Sequence, residues 1–166
     1  MTQETAAATY AAADIAGKYL TFELGHEEYG VQILKVREII GLLDITSLPK
    51  MPPCVKGVIN LRGKIIPVID LAMRFNMPPA QRTEETCIIV VEVGEVEVGV
   101  IVDRVCEVSN IAVDDIEGAR TLGASLQSDF ILGISKAGGK VTILLEIDKA
   151  LAGADVPVPQ ALPQVA

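Results

Sequence analysis

Residues 55–75, VKGVINLRGKIIPVIDLAMRF, align without a gap with residues 131–151, ILGISKAGGKVTILLEIDKAL. The pairs that this alignment brings together are Gly57 with Gly133, Gly63 with Gly139, Lys64 with Lys140, and Asp70 with Glu146. An internal match of this length indicates that the chain contains two copies of one module.

The repeat continues upstream of both segments. Residues 19–38, YLTFELGHEEYGVQILKVRE, align with residues 88–107, IIVVEVGEVEVGVIVDRVCE. Equivalent residues are 69 positions apart in this upstream block (38 to 107) and 76 apart in the downstream block (55 to 131). The second copy therefore has a longer loop in its middle.

Each module is predicted to be built from strands. Apolar and polar residues alternate over residues 20–24, which is the period of a half-buried strand. A turn at residues 25–27 and a further alternating stretch at residues 29–33 predict a hairpin, and Arg62-Gly63 marks a second, tight hairpin. About five short strands per module favour a small barrel, because closure removes exposed strand edges.

Three local features lead to more detailed expectations. Residues 33–40 are ambiguous, but the spacing of Val36, Ile39 and Ile40 fits a helical turn better than a strand. Pro67 has no N–H, so its strand is expected to be an edge strand or to bulge there. Asp70 is a suitable N-cap for a short helix over residues 71–75.

The two ends of the chain differ from its body. Residues 1–17 are rich in Ala and Thr, and residues 152–166 contain three prolines and no Lys or Arg. Both ends are predicted to be mobile tails. The folded body then spans residues 18–151, divided into a first module at 18–83 and a second at 84–151.

Charge argues against a nucleic-acid partner. The formal net charge is −8 and aromatic residues make up only 4% of the chain, which suits neither phosphate binding nor base stacking. Residues 50–82 carry six basic groups against one acid, and residues 83–117 carry ten acids against one arginine. These segments are either two poles for differently charged partners or ordinary solvated surface.

No catalytic or metal-binding pattern is found, so the expectation is no cofactor and no enzymatic activity. His26 is the only histidine, and the three cysteines lack a C-x-x-C spacing. An enzyme that relies only on Asp, Glu and Lys remains the alternative. With no signal-peptide pattern and no apolar run of membrane-spanning length, the chain is expected in the cytosol.

Several stretches together resemble the CheW-like domain family of bacterial chemotaxis. The stretches are residues 55–71 (VKGVINLRGKIIPVIDL), Tyr29-Gly30-Val31, Val36-Arg37-Glu38-Ile39 and Gly99-Val100-Ile101-Val102-Asp103. The resemblance covers nearly all of residues 18–151, with both repeats in place. The receptor-regulated kinase CheA and the protein CheV carry this domain beside others for which this chain has no room, so a free-standing adaptor is the form that is left.

The resemblance implies an all-β fold of two intertwined, five-stranded, Src-homology-3-like barrels with a few short helices. In that family the strand at residues 18–24 can complete the second barrel. The family implies an adaptor that couples the cytoplasmic tip of transmembrane chemoreceptors to the histidine kinase CheA, recruited to membrane-associated arrays in which it can also self-associate. The alternative is a generic duplicated barrel that binds a peptide or small ligand outside chemotaxis.

The family motif also implies site residues. The receptor-binding residues would be Val36, Glu38, Ile39, Gly57, Asn60, Leu61, Arg62 and Val108. The kinase-binding residues would be Leu42, Lys56, Ile65 and Leu122. The structural glycines would be Gly63, Gly99, Gly133 and Gly139.

Each assignment has an ordinary structural alternative. Gly57 serves equally well as a packing glycine or as a flat docking floor. Val36, Ile39 and Val108 could be core residues rather than an apolar strip for receptor helices. Arg62 could be simply solvated, but Glu38 is its natural partner, and the two are expected to pair and fix the groove wall.

Overall fold

Strands dominate the computed structural model, which describes residues 12–78, 82–118 and 130–152. The strands are β1 (Gly17–Leu24), β2 (Glu27–Gln32), β3 (Val36–Gly41), β4 (Val55–Leu61), β5 (Lys64–Asp70), β6 (Cys87–Val93), β7 (Val96–Val102), β8 (Arg104–Ile111), β9 (Ile116–Gly118), β10 (Ile131–Ser135) and β11 (Thr142–Leu145). The helices are α1 (Ala12–Ile15), α2 (Leu71–Arg74) and α3 (Ile147–Ala152), and single 3-10 turns lie at Ile33–Lys35, Val113–Asp115 and Ala137–Gly139. The predicted all-β class with a few short helices is confirmed.

The strands form two sheets of matching topology. One has the order β8-β1-β2-β11-β10-β9 and the other the order β3-β6-β7-β5-β4. The β1–β2 hairpin joins the second module through a parallel pairing that sets Gly30 opposite Leu144, and the β6–β7 hairpin joins the first through a parallel pairing of Gly99 with Val68. The two modules have thus exchanged their first hairpins, and the chain's first strand lies in the sheet of the second module.

The five-stranded sheet comes close to closing on itself. The chain after β3 crosses to β4, where Thr46 and Val58 each donate a backbone hydrogen bond to the other's carbonyl at 2.9 Å. In the other sheet, β9 follows β8 along the chain and pairs with β10. Within the described residues, no strand pairing joins the first and last strands of either sheet, so neither sheet is a closed barrel. The strand order of both sheets is nevertheless that of a small barrel.

Three apolar clusters hold these sheets together. The largest draws buried residues from both sheets, among them Phe22, Ile89 and Leu145, so it is the layer between the modules. A second cluster lies within the five-stranded sheet around Ile59, and a third lies within the other sheet around Leu132. Full burial of an aliphatic side chain stabilises a fold by about 1.5–3 kcal/mol, so the shared layer binds the two modules into one unit.

Two expectations for individual strands are wrong. Only Ile33–Lys35 forms a helical turn, and β3 begins at Val36, because its side chains pair with the β-branched residues of β6. β5 is an interior strand, and the bulge of its hairpin lies in β4, where Lys56 has no partner residue, rather than at Pro67. Pro67 is tolerated because the parallel pairing with β7 begins only at the following residue.

Helix capping agrees with the sequence, whereas the N-terminal boundary does not. Asp70 Oδ1 accepts a hydrogen bond from Met73 N at 3.3 Å and caps α2 as predicted.

Residues 12–17, expected in a tail, form α1 and the start of β1. Ile15 is buried in the third cluster, and the Tyr19 hydroxyl donates to the Ile15 carbonyl at 2.8 Å. Burial raises the pKa of Tyr19 to about 12, so this hydroxyl stays protonated.

Candidate functional site

The β4–β5 hairpin presents an arginine at its tip. Leu61 pairs with Lys64, and the two central residues, Arg62 and Gly63, have φ of 54° and 89°. Positive φ at both positions is the requirement of a type I′ turn, whose twist matches the flanking strands. Asn60 Oδ1 accepts a hydrogen bond from Gly63 N at 2.8 Å and fixes the turn. The turn therefore holds the Arg62 side chain outside the sheet.

Glu38 on β3 receives that arginine. Arg62 Nη2 donates to Glu38 Oε2, which confirms the predicted pair through one nitrogen and one oxygen. The hydrogen bond and the charge of Glu38 raise the pKa of Arg62. The Arg62 side chain is 69% exposed, so the contact adds little to folding but fixes the spacing of two surface elements. β3 and β4 are the two edges of the sheet, and this pair links them.

Three further charged residues complete the cleft. A β-bulge leaves Arg37 without a partner residue on β6, and Arg37 Nε lies 3.4 Å from Glu97 of β7. Lys64 Nζ lies 3.3 Å from the same carboxylate. The cleft has a volume of about 460 Å³ and is lined by Arg37, Glu38, Leu61, Arg62, Lys64 and Glu97. The sequence analysis did not assign Arg37, Lys64 or Glu97 to the site. The position of Lys64 directly after the Arg62-Gly63 turn was a signal that could have identified it.

These contacts also join the two oppositely charged segments of the chain. Lys64 belongs to the basic segment and Glu97 to the acidic one, yet they form an ion pair within one sheet. The two segments therefore contact each other at this cleft.

The apolar residues expected at the receptor surface differ in exposure. Ile39 is 44% exposed on β3 and Val108 is 53% exposed on β8. They are equivalent in the repeat and occupy the edge strands of the two sheets. Val36 is half-buried against the shared core. Its side chain therefore contributes to the packing of the fold, and only part of it is available to a binding partner.

Gly57 has a packing role that the sequence left undecided. Its φ is 140°, and a Cβ at this position would lie 2.0 Å from the Thr46 carbonyl oxygen. The backbone of residues 46–47 thus covers Gly57, for which a docking floor was one of the two expected roles. Gly57 permits this crossing, and any effect of its substitution on binding would be indirect.

The glycines expected to be structural occupy constrained positions. Gly63 and Gly139 have φ of 89° and 77°, a region that glycine adopts without strain. A Cβ on Gly99 would lie 2.8 Å from Ile88 Cγ2, and one on Gly133 would lie 2.7 Å from the Glu117 carbonyl oxygen.

A second cleft contains two of the residues expected at a kinase surface. It has a volume of about 380 Å³ and is lined by Leu42, Leu43, Asp44, Ile45, Ser47, Lys56 and Arg82. Ile65 is 43% exposed on β5 and does not line this cleft. Leu122 lies outside the described residues.

Within residues 12–78, 82–118 and 130–152, no group of three His, Cys, Asp or Glu side chains is placed to hold a metal ion. No helix in these ranges is long and apolar enough to span a membrane. Burial raises the pKa of the Cys87 and Cys106 thiols, which disfavours the nucleophilic thiolate.

Comparison with known proteins decides the family. The model of the CheW-like domain matches residues 18–155. The chain belongs to the CheW-like domain family. The chemotaxis protein CheW of Klebsiella aerogenes is 36% identical over 142 residues, covering 86% of each chain, and that of Thermotoga maritima is 33% identical, covering 80% of this chain and 85% of the other.

A solved structure of the family agrees with the fold. The scaffolding protein TtCheW of Thermoanaerobacter tengcongensis superposes with a TM-score of 0.72 at 37% identity, covering 79% of this chain and 89% of that one. The chain is therefore a chemotaxis scaffold of the adaptor type, from a family of scaffolds rather than of enzymes. A generic ligand-binding barrel outside chemotaxis is not favoured.

Proposed function

We propose that the chain couples the cytoplasmic tip of transmembrane chemoreceptors to the histidine kinase CheA by binding them on separate surfaces. The receptor surface comprises the cleft around Glu38 and Arg62 together with exposed Ile39. The kinase surface comprises the cleft around Leu42 and Lys56. The observation that carries this proposal is that the two clefts share no lining residue.

The receptor surface suits a helical partner. Its wall is a network of ion pairs, and Ile39, the residue after Glu38 on β3, is an exposed aliphatic side chain. An amphipathic helix can bury such an apolar residue while the charged wall sets its orientation. Because the ion pairs are already formed in the free protein, little ordering is required on binding.

The kinase surface has a different chemistry. Leu42 and Ile45 supply apolar contact. Lys56 and Arg82 supply two positive charges against the one negative charge of Asp44. The Lys56 ammonium lies 3.9 Å from Met73 Sδ, which ties its stem to α2. This surface favours a partner with an apolar patch edged by acidic groups.

Function then follows from simultaneous binding. Once one partner is held, the second meets it at an effective concentration of about the millimolar range for close, well-oriented sites. Two modest contacts can therefore give a firm assembly without any catalytic step. On this proposal the chain is not an enzyme, and it is recruited to receptor arrays at the membrane through its receptor surface.

Co-sedimentation with receptor tests this proposal. Membranes carrying a receptor signalling fragment are mixed with the CheA regulatory domain, with and without the chain. We expect the kinase domain to sediment much more strongly when the chain is present, and the chain itself to sediment with receptor alone. If the chain binds only one partner at a time, so that kinase displaces receptor, the proposal is wrong.

A further inference from the structure

The repeat gives the second module a counterpart of the Glu38–Arg62 cleft. Glu107 is the repeat equivalent of Glu38. Both residues come directly after a β-bulge on an edge strand, at Arg37 of β3 and at Cys106 of β8. The duplication has therefore placed a second carboxylate in the same local setting.

The ion pair beside each carboxylate is also duplicated. Lys64 lies 3.3 Å from Glu97 in the five-stranded sheet. Their repeat equivalents, Lys140 and Glu28, lie 3.2 Å apart in the other sheet. The charge of Glu107 contributes to raising the pKa of Lys140. Lys140 is nevertheless engaged by Glu28, as Lys64 is by Glu97.

The arginine, however, is missing from the second module. Gly138 occupies the position equivalent to Arg62, with φ of 69° against 54°. A Cβ on Gly138 would meet nothing within 4 Å. Within the described residues Glu107 forms no ion pair, and its carboxylate accepts one hydrogen bond, from Ser109 Oγ at 3.3 Å.

The side chain of Glu107 is exposed, but its backbone is held in place by hydrogen bonds. Thr21 is buried, and its hydroxyl donates to the Glu107 carbonyl at 3.1 Å and accepts from the Glu107 N–H at 3.3 Å. Val108 follows directly in the chain, and its side chain is 53% exposed. Within the described residues this carboxylate forms no ion pair, and together with the exposed Val108 it is complementary to an arginine carried on an apolar segment.

We infer that Glu107 binds an arginine of the receptor segment, which takes the place in the second module that Arg62 holds in the first. This inference rests on the proposed function, because it assigns Glu107 and Val108 to the receptor surface. The first module supplies its own arginine, whereas the second takes one from the partner, so the duplicated surface can distinguish between the two ends of an asymmetric ligand.

Two substitutions in the second module test the inference with the receptor signalling fragment. Glu107→Gln removes the charge and keeps the shape, and Gly138→Arg supplies the missing arginine within the chain. Each should weaken receptor binding about fivefold, the upper range for an exposed ion pair. Gly138→Asn is the matched control, because asparagine tolerates positive φ and brings no charge, and it should bind like the wild type.

The combination of variants separates the possible outcomes. The double variant Glu107→Gln with Gly138→Arg should bind no more weakly than either single variant, since both act on one contact. One arginine of the receptor fragment, when changed to Gln, should cost affinity in the wild type but not in Glu107→Gln. If both single variants bind receptor like the wild type while Ile39→Asp does not, the inference is wrong and the proposed function stands. Loss of affinity for the CheA regulatory domain instead of receptor would also overturn it.

Discussion

At the scale of single residues, Glu38 and Arg62 act as one unit. Their pair links the two edges of the five-stranded sheet, and the rigid turn around Gly63 sets the direction of the arginine. The sequence alone predicted this pair through the family motif. It could not predict that Arg37 joins the cleft, because that depends on a bulge and on strand pairing across the sheet.

A double-mutant cycle measures whether the pair acts in receptor binding. Arg62→Ala and Glu38→Ala should each lower receptor affinity, and the double variant should cost clearly less than the sum of the single losses. Unfolding free energy should fall by no more than about 1 kcal/mol, because exposed pairs contribute little. Isothermal titration and urea unfolding supply both quantities. Strictly additive losses of affinity would contradict the coupling.

A second prediction at this scale concerns Gly57. Gly57→Ala forces a Cβ against the Thr46 carbonyl oxygen and strains a positive φ, so unfolding free energy should fall by at least about 2 kcal/mol. Gly41→Ala is the control, since a Cβ there meets nothing within 4 Å, and it should change stability by less than about 0.5 kcal/mol. Urea unfolding of the two variants decides the matter. Equal stability of both would show that Gly57 has no packing role.

At the scale of elements, the exchanged hairpins are the central feature. Hairpin β1–β2 completes the sheet of the second module and hairpin β6–β7 completes that of the first. Sequence periodicity predicted the hairpins themselves, because alternation and turn residues are local signals. Which sheet each hairpin joins is decided by parallel pairing between distant segments, which no local pattern encodes.

The exchange predicts that both modules unfold together. Ile59→Ala affects the core of one module and Leu132→Ala that of the other, and each should cost about 2–5 kcal/mol. Because strands of both repeats are present in both sheets, each variant should lower amide protection equally in β7 and β11. Hydrogen exchange monitored by NMR measures this. Loss of protection confined to the mutated module would mean that the modules are independent.

At the scale of the whole molecule, the chain carries surfaces of different chemistry on one folded unit. The shared apolar layer fixes the two modules to each other, and the two clefts of the first module have no lining residue in common. The sequence predicted the fold class and the family well, because the repeat and the motif extend over the whole body. It left the role of Gly57 and the arrangement of the charged segments open, because both depend on which segments cross or pair in space.

The most direct test of the account is a comparison of four binding affinities. Ile39→Asp alters an exposed residue of the receptor surface, and Lys56→Glu alters the kinase surface. Each variant is titrated separately with the receptor signalling fragment and with the CheA regulatory domain. We predict that Ile39→Asp loses at least about tenfold in receptor affinity with kinase affinity unchanged, and that Lys56→Glu shows the reverse. Parallel loss of both partners by either variant, with the fold intact, would contradict the claim that receptor and kinase bind separate surfaces.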